Sequence, residues 1–234
     1  NVIVQDPSYP IHHYAPLIAG ANVLKIECLS IDGFMNNLKK SLKNEKVKVV
    51  LISFPHNPTT LTVNQEFYDE LVELAKIYNF LLINDFAYSD IYFNEVKPPS
   101  LLKSDPELEH CVELYSLTKG YSMAGWRVGF AIGNENAITS LTKLKSYIDY
   151  GTFQPIQIAS TVAINDLDDY PKEVSSIYSE RRLLATEYLT KYGFEVQEST
   201  ATMFVWAKLP KKYNNDSMKF SIDLLSKCNV AVSP

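Results

Sequence analysis

The chain has 234 residues, of which 46% are hydrophobic and 21% are charged, and it carries a formal net charge of −5 at pH 7. This length and apolar content suit a soluble globular protein with one large domain, or with one and a half smaller ones. The scattered basic residues argue against a nucleic-acid surface, and no apolar run approaches the roughly 20 residues needed to cross a bilayer. We therefore expect a cytoplasmic protein with no membrane and no nucleic-acid partner.

The first part of the chain predicts a parallel β-sheet. Short apolar runs rich in β-branched residues alternate with segments of helical period, which is the pattern of parallel strands joined by crossover helices. Six strands are predicted, over residues 2–4, 22–27, 47–54, 80–84, 112–116 and 128–133. The fold class predicted from this alternation is α/β, with a mostly parallel, doubly wound sheet.

Two of the intervening segments carry a helical stripe of apolar residues. The first stripe consists of Phe34, Leu38 and Leu42. The second stripe consists of Phe67, Leu71, Leu74 and Tyr78. Thr62 and Gln65 have the spacing of a capping box just before the second stripe, so we expect them to begin that helix.

From about residue 136 the sequence changes to long helical stretches, which predict helices over 137–150, 154–166 and 171–193. A smaller α+β unit is predicted after them, with strands at 194–198 and 203–209, a helix at 217–227 and a last strand at 230–232. We place the large domain at residues 1–170 and part of a small C-terminal domain at 171–234. The chain opens on a strand-like "NVIV" without a methionine and stops in mid-pattern, so we expect a piece of a longer protein.

The cysteines and histidines indicate neither a disulfide framework nor a metal site. Cys28, Cys111 and Cys228 lie far apart without a C-x-x-C pair, so we expect reduced, mostly packed thiols. His12 and His13 are adjacent, which points their rings in different directions on any regular element. None of the four histidines has a partner at the spacing of metal ligands, and we expect no metal.

Polar or aromatic side chains follow four of the predicted strands at the point where each strand ends. Ligands of open parallel sheets bind beyond the carboxyl ends of the strands, so these side chains are candidates for a site. They are Tyr9 after the first strand, Asn57 after the third, Asp85 and Tyr88 after the fourth, and Ser116 and Lys119 after the fifth. Arg127 follows eight positions after Lys119.

Each candidate also has a purely structural interpretation. Asn57 and Ser116 could be turn residues, Asp85 could cap a following helix, and Tyr88 could be a half-buried core aromatic. A single lysine or arginine in such a segment would be an ordinary surface charge. The joint occurrence of these residues at the strand ends favours a site.

One small molecule would engage every member of this set. A lysine beside a crevice can form a Schiff base with a carbonyl once it loses its proton. A carboxylate stabilises a protonated ring nitrogen, while arginine and serine suit a phosphate. An aromatic ring covers a flat heteroaromatic face, and tyrosine and asparagine hydrogen-bond a ring oxygen. A flat, phosphorylated pyridine that bears an aldehyde satisfies all of these groups, and pyridoxal 5′-phosphate is that molecule.

Three segments resemble the signature blocks of class I, fold-type I pyridoxal-phosphate aminotransferases, in the same order and at similar spacing. They are "PHNPTT", "NDFAYSDI" and "SLTKGYSMAGWRVG", and the resemblance spans essentially the whole chain. It implies that Lys119 is the Schiff-base lysine and that Asp85 is the partner of the pyridine nitrogen. It also implies that Tyr88 contacts the ring oxygen, so that Lys119, Asp85 and Tyr88 form the catalytic set.

The same resemblance implies four further cofactor-binding residues. Asn57 would share the ring oxygen with Tyr88, and Ser116 and Arg127 would bind the phosphate. Tyr9, in "DPSYP", would stack on the ring. The glycine-containing phosphate loop and the arginine that binds the substrate α-carboxylate are expected to lie outside this chain.

Within the family, "FPHNPTT", "KSYIDYGTFQPIQIA", "TMFVWAKLP" and "VAVSP" look most like the bacterial alanine transaminase branch. This similarity implies a homodimer that exchanges amino groups between an L-amino acid, alanine or glutamate, and a 2-oxo acid, 2-oxoglutarate or pyruvate. The mechanism would be ping-pong. The alternatives are an aspartate or LL-diaminopimelate aminotransferase, a C–S β-lyase on the same fold, and a non-catalytic aminotransferase-like domain.

Overall fold

A computed structural model describes residues 1–234, and its largest feature is a six-stranded sheet of order β2-β1-β3-β4-β5-β6. The strands are β1 Val2–Asp6, β2 Val23–Glu27, β3 Val49–Ile52, β4 Leu81–Asp85, β5 Cys111–Ser116 and β6 Gly129–Gly133. All neighbouring pairs are parallel except β5 and β6, which are antiparallel. The predicted strands and the mostly parallel α/β class are confirmed.

The reversed direction of β6 follows from the lack of a full crossover helix in the connection that precedes it. A parallel crossover usually contains a full helix that packs across the sheet. The segment between Ser116 and Gly129 holds only a one-turn helix and a 3₁₀ turn. It therefore leaves β5 and re-enters the sheet at the same edge, which keeps Lys119 and Arg127 there.

Eight α-helices and a small antiparallel pair of strands complete the fold. The helices are α1 Pro10–Ile18, α2 Ile31–Asn44, α3 Gln65–Tyr78, α4 Leu117–Gly120, α5 Glu135–Ile148, α6 Gln154–Asp166, α7 Tyr170–Lys191 and α8 Ser217–Cys228. The pair consists of β7 Glu195–Val196 and β8 Ala207–Lys208. Short 3₁₀ helices lie at Leu101–Ser104, Ala124–Trp126 and Lys211–Tyr213. The sequence analysis did not predict α1, which has Pro16 inside it and shows little helical period.

The main core lies where α2 and α3 pack on the sheet. The α2 stripe is fully enclosed, with Phe34 and Leu38 at 0% exposure, and Leu71 of α3 is equally buried. These side chains join Val50 and Leu82 from the central strands in one apolar cluster. Burying a large aliphatic side chain stabilises a fold by about 2 kcal/mol, so this cluster holds the central strands against both helices.

The predicted start of α3 is wrong. Asn64, and not a Thr62–Gln65 capping box, begins the helix, because Asn64 Oδ1 accepts a hydrogen bond from Phe67 N at 3.1 Å. Thr62 Oγ1 instead lies 3.0 Å from Thr200 Oγ1. Asparagine is at least as good an N-cap residue as threonine. With Asn64 as the N-cap, the helix begins two residues later than a cap at Thr62 would place it.

The predicted C-terminal strand at 230–232 is also wrong. These residues form no regular structure and are exposed, because no neighbouring strand within the chain pairs with them. The boundary between domains 1–170 and 171–234 stays a prediction, and α7 begins at that point.

No helix is long and apolar enough to span a bilayer. The structure contains no group of three or more histidine, cysteine or acidic side chains that could hold a metal ion. The three cysteines are free thiols, with Cys28 and Cys111 buried and Cys228 exposed. The packed thiols expected from the sequence are therefore confirmed at two of the three positions.

Candidate active site

Four connecting segments meet at one edge of the six-stranded sheet. The neighbouring strands β1, β3, β4 and β5 run parallel, so their carboxyl ends lie side by side. The segments that leave these ends carry Tyr9, Asn57, Tyr88 and Lys119, while Asp85 and Ser116 are the last residues of β4 and β5. The topology therefore brings these candidate residues to one edge.

Tyr88 is the centre of a contiguous group of three candidates. Asn57 Nδ2 donates a hydrogen bond to Tyr88 Oη at 3.3 Å. Lys119 Nζ lies 5.8 Å from the centroid of the Tyr88 ring, and the Phe204 ring packs against Tyr88 at 5.3 Å. Tyr88 is 7% exposed, so it is also a packed aromatic, as its structural interpretation required. Amine, phenol and amide thus share one small region.

The Tyr88 phenol is held in its neutral form. Burial raises the pKa of Tyr88 to about 12, the negative charge of Asp85 acts in the same direction, and the hydrogen bond from Asn57 opposes both. Because the phenol oxygen accepts from Asn57, its own O–H hydrogen is available to a ligand. The group can therefore donate one hydrogen bond into the site at neutral pH.

Asp85 is held by a histidine and by its own turn. Its Oδ2 lies 2.9 Å from His12 Nε2, and His12 Nδ1 lies 2.8 Å from Ser8 Oγ. Its Oδ1 accepts from Ala87 N at 3.2 Å, which stabilises the turn after β4; no helix begins there, so the helix-capping role considered for Asp85 is wrong. The Asp85 side chain is 25% exposed and that of His12 only 5%. The carboxylate is thus fixed in place while remaining accessible.

His12 is a residue of the site that the sequence analysis did not select. The histidines were tested only for metal-ligand spacing, whereas His12 contacts a carboxylate 73 residues away. His13 points elsewhere, with Nε2 3.9 Å from Asp6 Oδ1. Pro10 at the first helical position is the signal that could have found it, because it predicts a helix that turns His12 toward the strand ends.

Tyr9 lies next to this pair. Its ring meets the His12 ring edge-on, with centroids 5.8 Å apart. Tyr9 is 48% exposed and immediately precedes α1. A half-exposed aromatic ring therefore lies beside His12, the residue that contacts Asp85.

The turn that bears Lys119 packs closely against the segment after β4. A Cβ atom added to Gly120 would lie 2.7 Å from Asp90 Cβ, so only glycine permits this approach. Tyr115 Oη donates to Asp90 Oδ2 at 2.6 Å from the other side. The position of Lys119 is thereby tied to the segment that carries Tyr88.

Ser116 and Arg127 reach the same edge but not each other. Ser116 Oγ accepts from Thr118 N at 3.2 Å, so it caps α4, whereas the structural alternative considered for it was a turn residue. Arg127 is exposed, and its Nη1 donates to Ala124 O at 3.1 Å. No hydrogen bond or ion pair joins Arg127 to another candidate residue.

Together these groups suit a flat, polar, electron-poor aromatic ligand. The lysine supplies a nucleophilic amine, the carboxylate a site for a protonated ring nitrogen, and the phenol a hydrogen-bond donor for an anionic oxygen. The exposed aromatic ring beside them offers a stacking surface.

The whole chain matches one protein family. The family model described as "Aminotransferase class I and II" covers residues 1–234. The chain is 38% identical over 237 residues to the glutamate-pyruvate aminotransferase AlaC of Escherichia coli (strain K12), with 100% of this chain and 58% of AlaC covered. It is also 38% identical over 233 residues to the LL-diaminopimelate aminotransferase of Natranaerobius thermophilus, with 99% of this chain and 60% of that protein covered.

Among solved structures, the substrate-bound structure of BacF from Bacillus subtilis superposes with a TM-score of 0.91 at 29% identity. The match covers 100% of this chain and 60% of BacF. The chain therefore spans about three fifths of the length of the relatives that it matches.

Proposed function

Because this chain belongs to the class I and II aminotransferase family, we propose that the full protein is a pyridoxal-phosphate-dependent aminotransferase. It transfers an amino group between an L-amino acid and a 2-oxo acid. The observation that carries this proposal is the grouping of Asn57, Tyr88 and Lys119 at the edge where Asp85 is held by His12.

The residues present fit the cofactor by their chemistry. Asp85, fixed by His12 and partly exposed, suits a protonated pyridine nitrogen. The free O–H hydrogen of Tyr88 suits the ring oxygen, with Asn57 as its neighbour. Ser116 and Arg127 are proposed to bind the phosphate, and the exposed ring of Tyr9 is proposed to stack on the pyridine.

When bound, pyridoxal 5′-phosphate supplies an aldehyde for covalent attachment of amines and a ring that accepts electrons from the substrate α-carbon. Asp85 would favour a proton on the ring nitrogen, because a negative charge next to that nitrogen stabilises its protonated form. Tyr88 and Asn57 would hold the ring oxygen in one place and so fix the ring orientation.

Lys119 Nζ is proposed to have two roles in turn. It would attach the cofactor through the aldehyde, and it would be available as a free amine once the amino acid is bound. As a free amine it would remove the α-proton of the amino acid as general base and return a proton as general acid. The amino group stays on the enzyme between two half-reactions, so the kinetics are ping-pong.

We propose alanine or glutamate as the amino donor, with pyruvate and 2-oxoglutarate as the oxo acids, and a cytoplasmic homodimer as the working form. The similarity to AlaC, a glutamate-pyruvate aminotransferase, supports the choice of amino donor and oxo acids. LL-diaminopimelate is the second candidate, since an enzyme named for that substrate is equally identical to the chain.

The experiment is a panel of amino donors and oxo acids with the full-length protein and its Lys119→Ala variant. We expect transfer between alanine and 2-oxoglutarate by the wild type and none by the variant. Transfer from LL-diaminopimelate alone would select the second candidate. Ammonia and pyruvate formed without an oxo acid would indicate a β-lyase, and no turnover of any pair would contradict the proposed function.

A further inference from the structure

Two buried backbone N–H groups lie just beyond β3, where the chain leaves the sheet toward Asn57. Each N–H group donates a hydrogen bond to the side-chain amide oxygen of a residue on a neighbouring strand. Ser53 N donates to Gln5 Oε1 at 2.7 Å, and Phe54 N donates to Asn84 Oδ1 at 3.2 Å. Both amides are 0% exposed. Gln5 on β1 and Asn84 on β4 therefore hold the segment that follows β3, by hydrogen bonds from both sides. We call this segment, residues 53–57, the β3 exit.

The other end of each amide is also engaged, which fixes its orientation. Gln5 Nε2 lies 3.2 Å from Cys28 Sγ. Asn84 Nδ2 donates to Glu113 Oε2 at 3.1 Å and to Tyr68 Oη at 3.2 Å. With their N–H₂ groups turned toward these acceptors, both amides must present oxygen to the β3 exit.

Glu113 holds Asn84 from the next strand of the sheet. Glu113 is 7% exposed, and its carboxylate accepts from Ser100 Oγ at 2.7 Å and from Leu101 N at 2.8 Å, besides the Asn84 amide. A buried carboxylate with three donors is well satisfied, so it is a firm anchor. The interaction therefore extends from β1 through β3 and β4 to β5.

This row of side chains lies directly beneath the candidate site but does not enter it. Asn84 and Asp85 are adjacent on β4, so their side chains point to opposite faces of the sheet. Asn84 reaches Tyr68 of α3, whereas Asp85 reaches His12 of α1. Ser53 Oγ also donates to Asp85 O at 2.9 Å, which ties the β3 exit to the backbone of the carboxylate.

We propose that Gln5 and Asn84 are positioning residues. Their amides hold the β3 exit in the position in which the Asn57 side chain hydrogen-bonds Tyr88 beside Asp85. This inference rests on the proposed function for its consequence in cofactor binding. Neither amide makes a hydrogen bond to a candidate site residue. Gln5 acts through the Ser53–Asn57 backbone, and Asn84 acts through that backbone and through its own peptide link to Asp85.

The test uses Asn84→Leu in the full-length protein, which keeps the side-chain volume and removes the acceptor of Phe54 N. In hydrogen–deuterium exchange without cofactor, we expect the peptide covering residues 53–57 to exchange at least about tenfold faster than in the wild type. Titration with pyridoxal 5′-phosphate should then give a dissociation constant about tenfold higher. Exchange within α2 should not change.

The matched control is Asp105→Ala. Asp105 is 3% exposed, and its Oδ2 accepts from His110 N at 2.7 Å, so this change also removes a buried acceptor of a backbone N–H. It lies at the opposite end of β5 from the site. We expect it to lower the melting temperature as Asn84→Leu does, with unchanged exchange at 53–57 and unchanged cofactor affinity.

The outcomes separate this inference from the proposed function. Wild-type protein that does not bind pyridoxal 5′-phosphate would contradict the proposed function, while the exchange data would still test the hydrogen bonds that hold the β3 exit. Binding by the wild type with unchanged exchange or unchanged affinity in Asn84→Leu would overturn the positioning role alone, as would equal effects in Asp105→Ala. If Asn84→Leu does not fold, Gln5→Met removes the other acceptor at similar volume and is expected to give the same two changes.

Discussion

His12 Nε2 lies 2.9 Å from Asp85 Oδ2, so the first helix of the chain holds the carboxylate at the end of the fourth strand. Ser8 Oγ, 2.8 Å from the other ring nitrogen, fixes the ring plane. A carboxylate with a fixed hydrogen-bond partner keeps one orientation toward its ligand. Hydrogen-bond partners orient the residues that bind a metal ion in the same way. His12 therefore belongs to the candidate site as the residue that orients Asp85.

The first prediction concerns this pair. His12→Leu retains the volume but leaves Asp85 Oδ2 without its partner, so we expect kcat of the full-length enzyme to fall about tenfold. His13→Gln, a change at the adjacent buried ring, is the control and should leave kcat unchanged. Steady-state kinetics at saturating cofactor measure both, and wild-type kcat in His12→Leu would refute the role of this contact.

The second prediction concerns Asn57 and Tyr88, whose side chains share one hydrogen bond of 3.3 Å. Tyr88→Phe and Asn57→Ala should each weaken binding of pyridoxal 5′-phosphate about tenfold, because each removes a polar group that is proposed to contact the ring oxygen. The double variant should lose less than the two effects combined, since the two side chains act as a unit. Fluorescence titration gives the four dissociation constants, and strict additivity would show that the pair is not coupled.

The third prediction uses two glycines in one segment. Gly120→Ala places a Cβ 2.7 Å from Asp90 Cβ and must displace the turn that bears Lys119, whereas nothing lies within 4 Å of a Cβ at Gly125. We expect Gly120→Ala to lower cofactor affinity at least about tenfold and Gly125→Ala to leave it unchanged. The same titration measures both, and equal affinities in the two variants would argue against the close approach.

The fourth prediction concerns pH and stability. Burial, and secondarily the charge of His12, lower the pKa of His56 from 6.5 to about 3. Below pH 6.5, His56 binds a proton in the unfolded chain but not in the folded chain. Its contribution to the free energy of unfolding is therefore complete above pH 6.5 and is lost as the pH falls toward 3.

Urea unfolding of the cofactor-free protein at a series of pH values measures this effect. His56→Asn, which retains a polar group near Thr59, should have a slope shallower than the wild type by up to about 1.4 kcal/mol per pH unit between about pH 6 and pH 4. Identical slopes would show that His56 titrates normally in the folded state.

Much of the sheet could be predicted because apolar runs and turn signals are local. Each of the six strands was placed within about two residues of its observed bounds, and the buried stripe of Phe34, Leu38 and Leu42 followed from period alone. The order of the strands then put the polar residues after β1, β3, β4 and β5 at one edge. The candidate set was therefore accessible from the sequence together with the rule for open sheets.

The remaining features depend on contacts between distant segments. The helix that carries His12 contains an internal proline, Pro16, which argues against a helix, and its contact with Asp85 exists only once β4 is in place. The strand predicted at 230–232 has a suitable composition but no partner strand, and strand formation requires one. The hydrogen bonds from the β3 exit to Gln5 and Asn84 also join residues that are far apart in the sequence, so no local pattern predicts them.

The central claim is that Lys119 is the residue that binds the cofactor covalently. The most direct measurement is to incubate the full-length protein with pyridoxal 5′-phosphate, reduce it with sodium borohydride, and locate the added pyridoxyl group by mass spectrometry of the digested peptides. We expect the group on Lys119 in the wild type and no specific labelling in Lys119→Arg. Labelling of another lysine in its place, or of none, would contradict the assignment of this site.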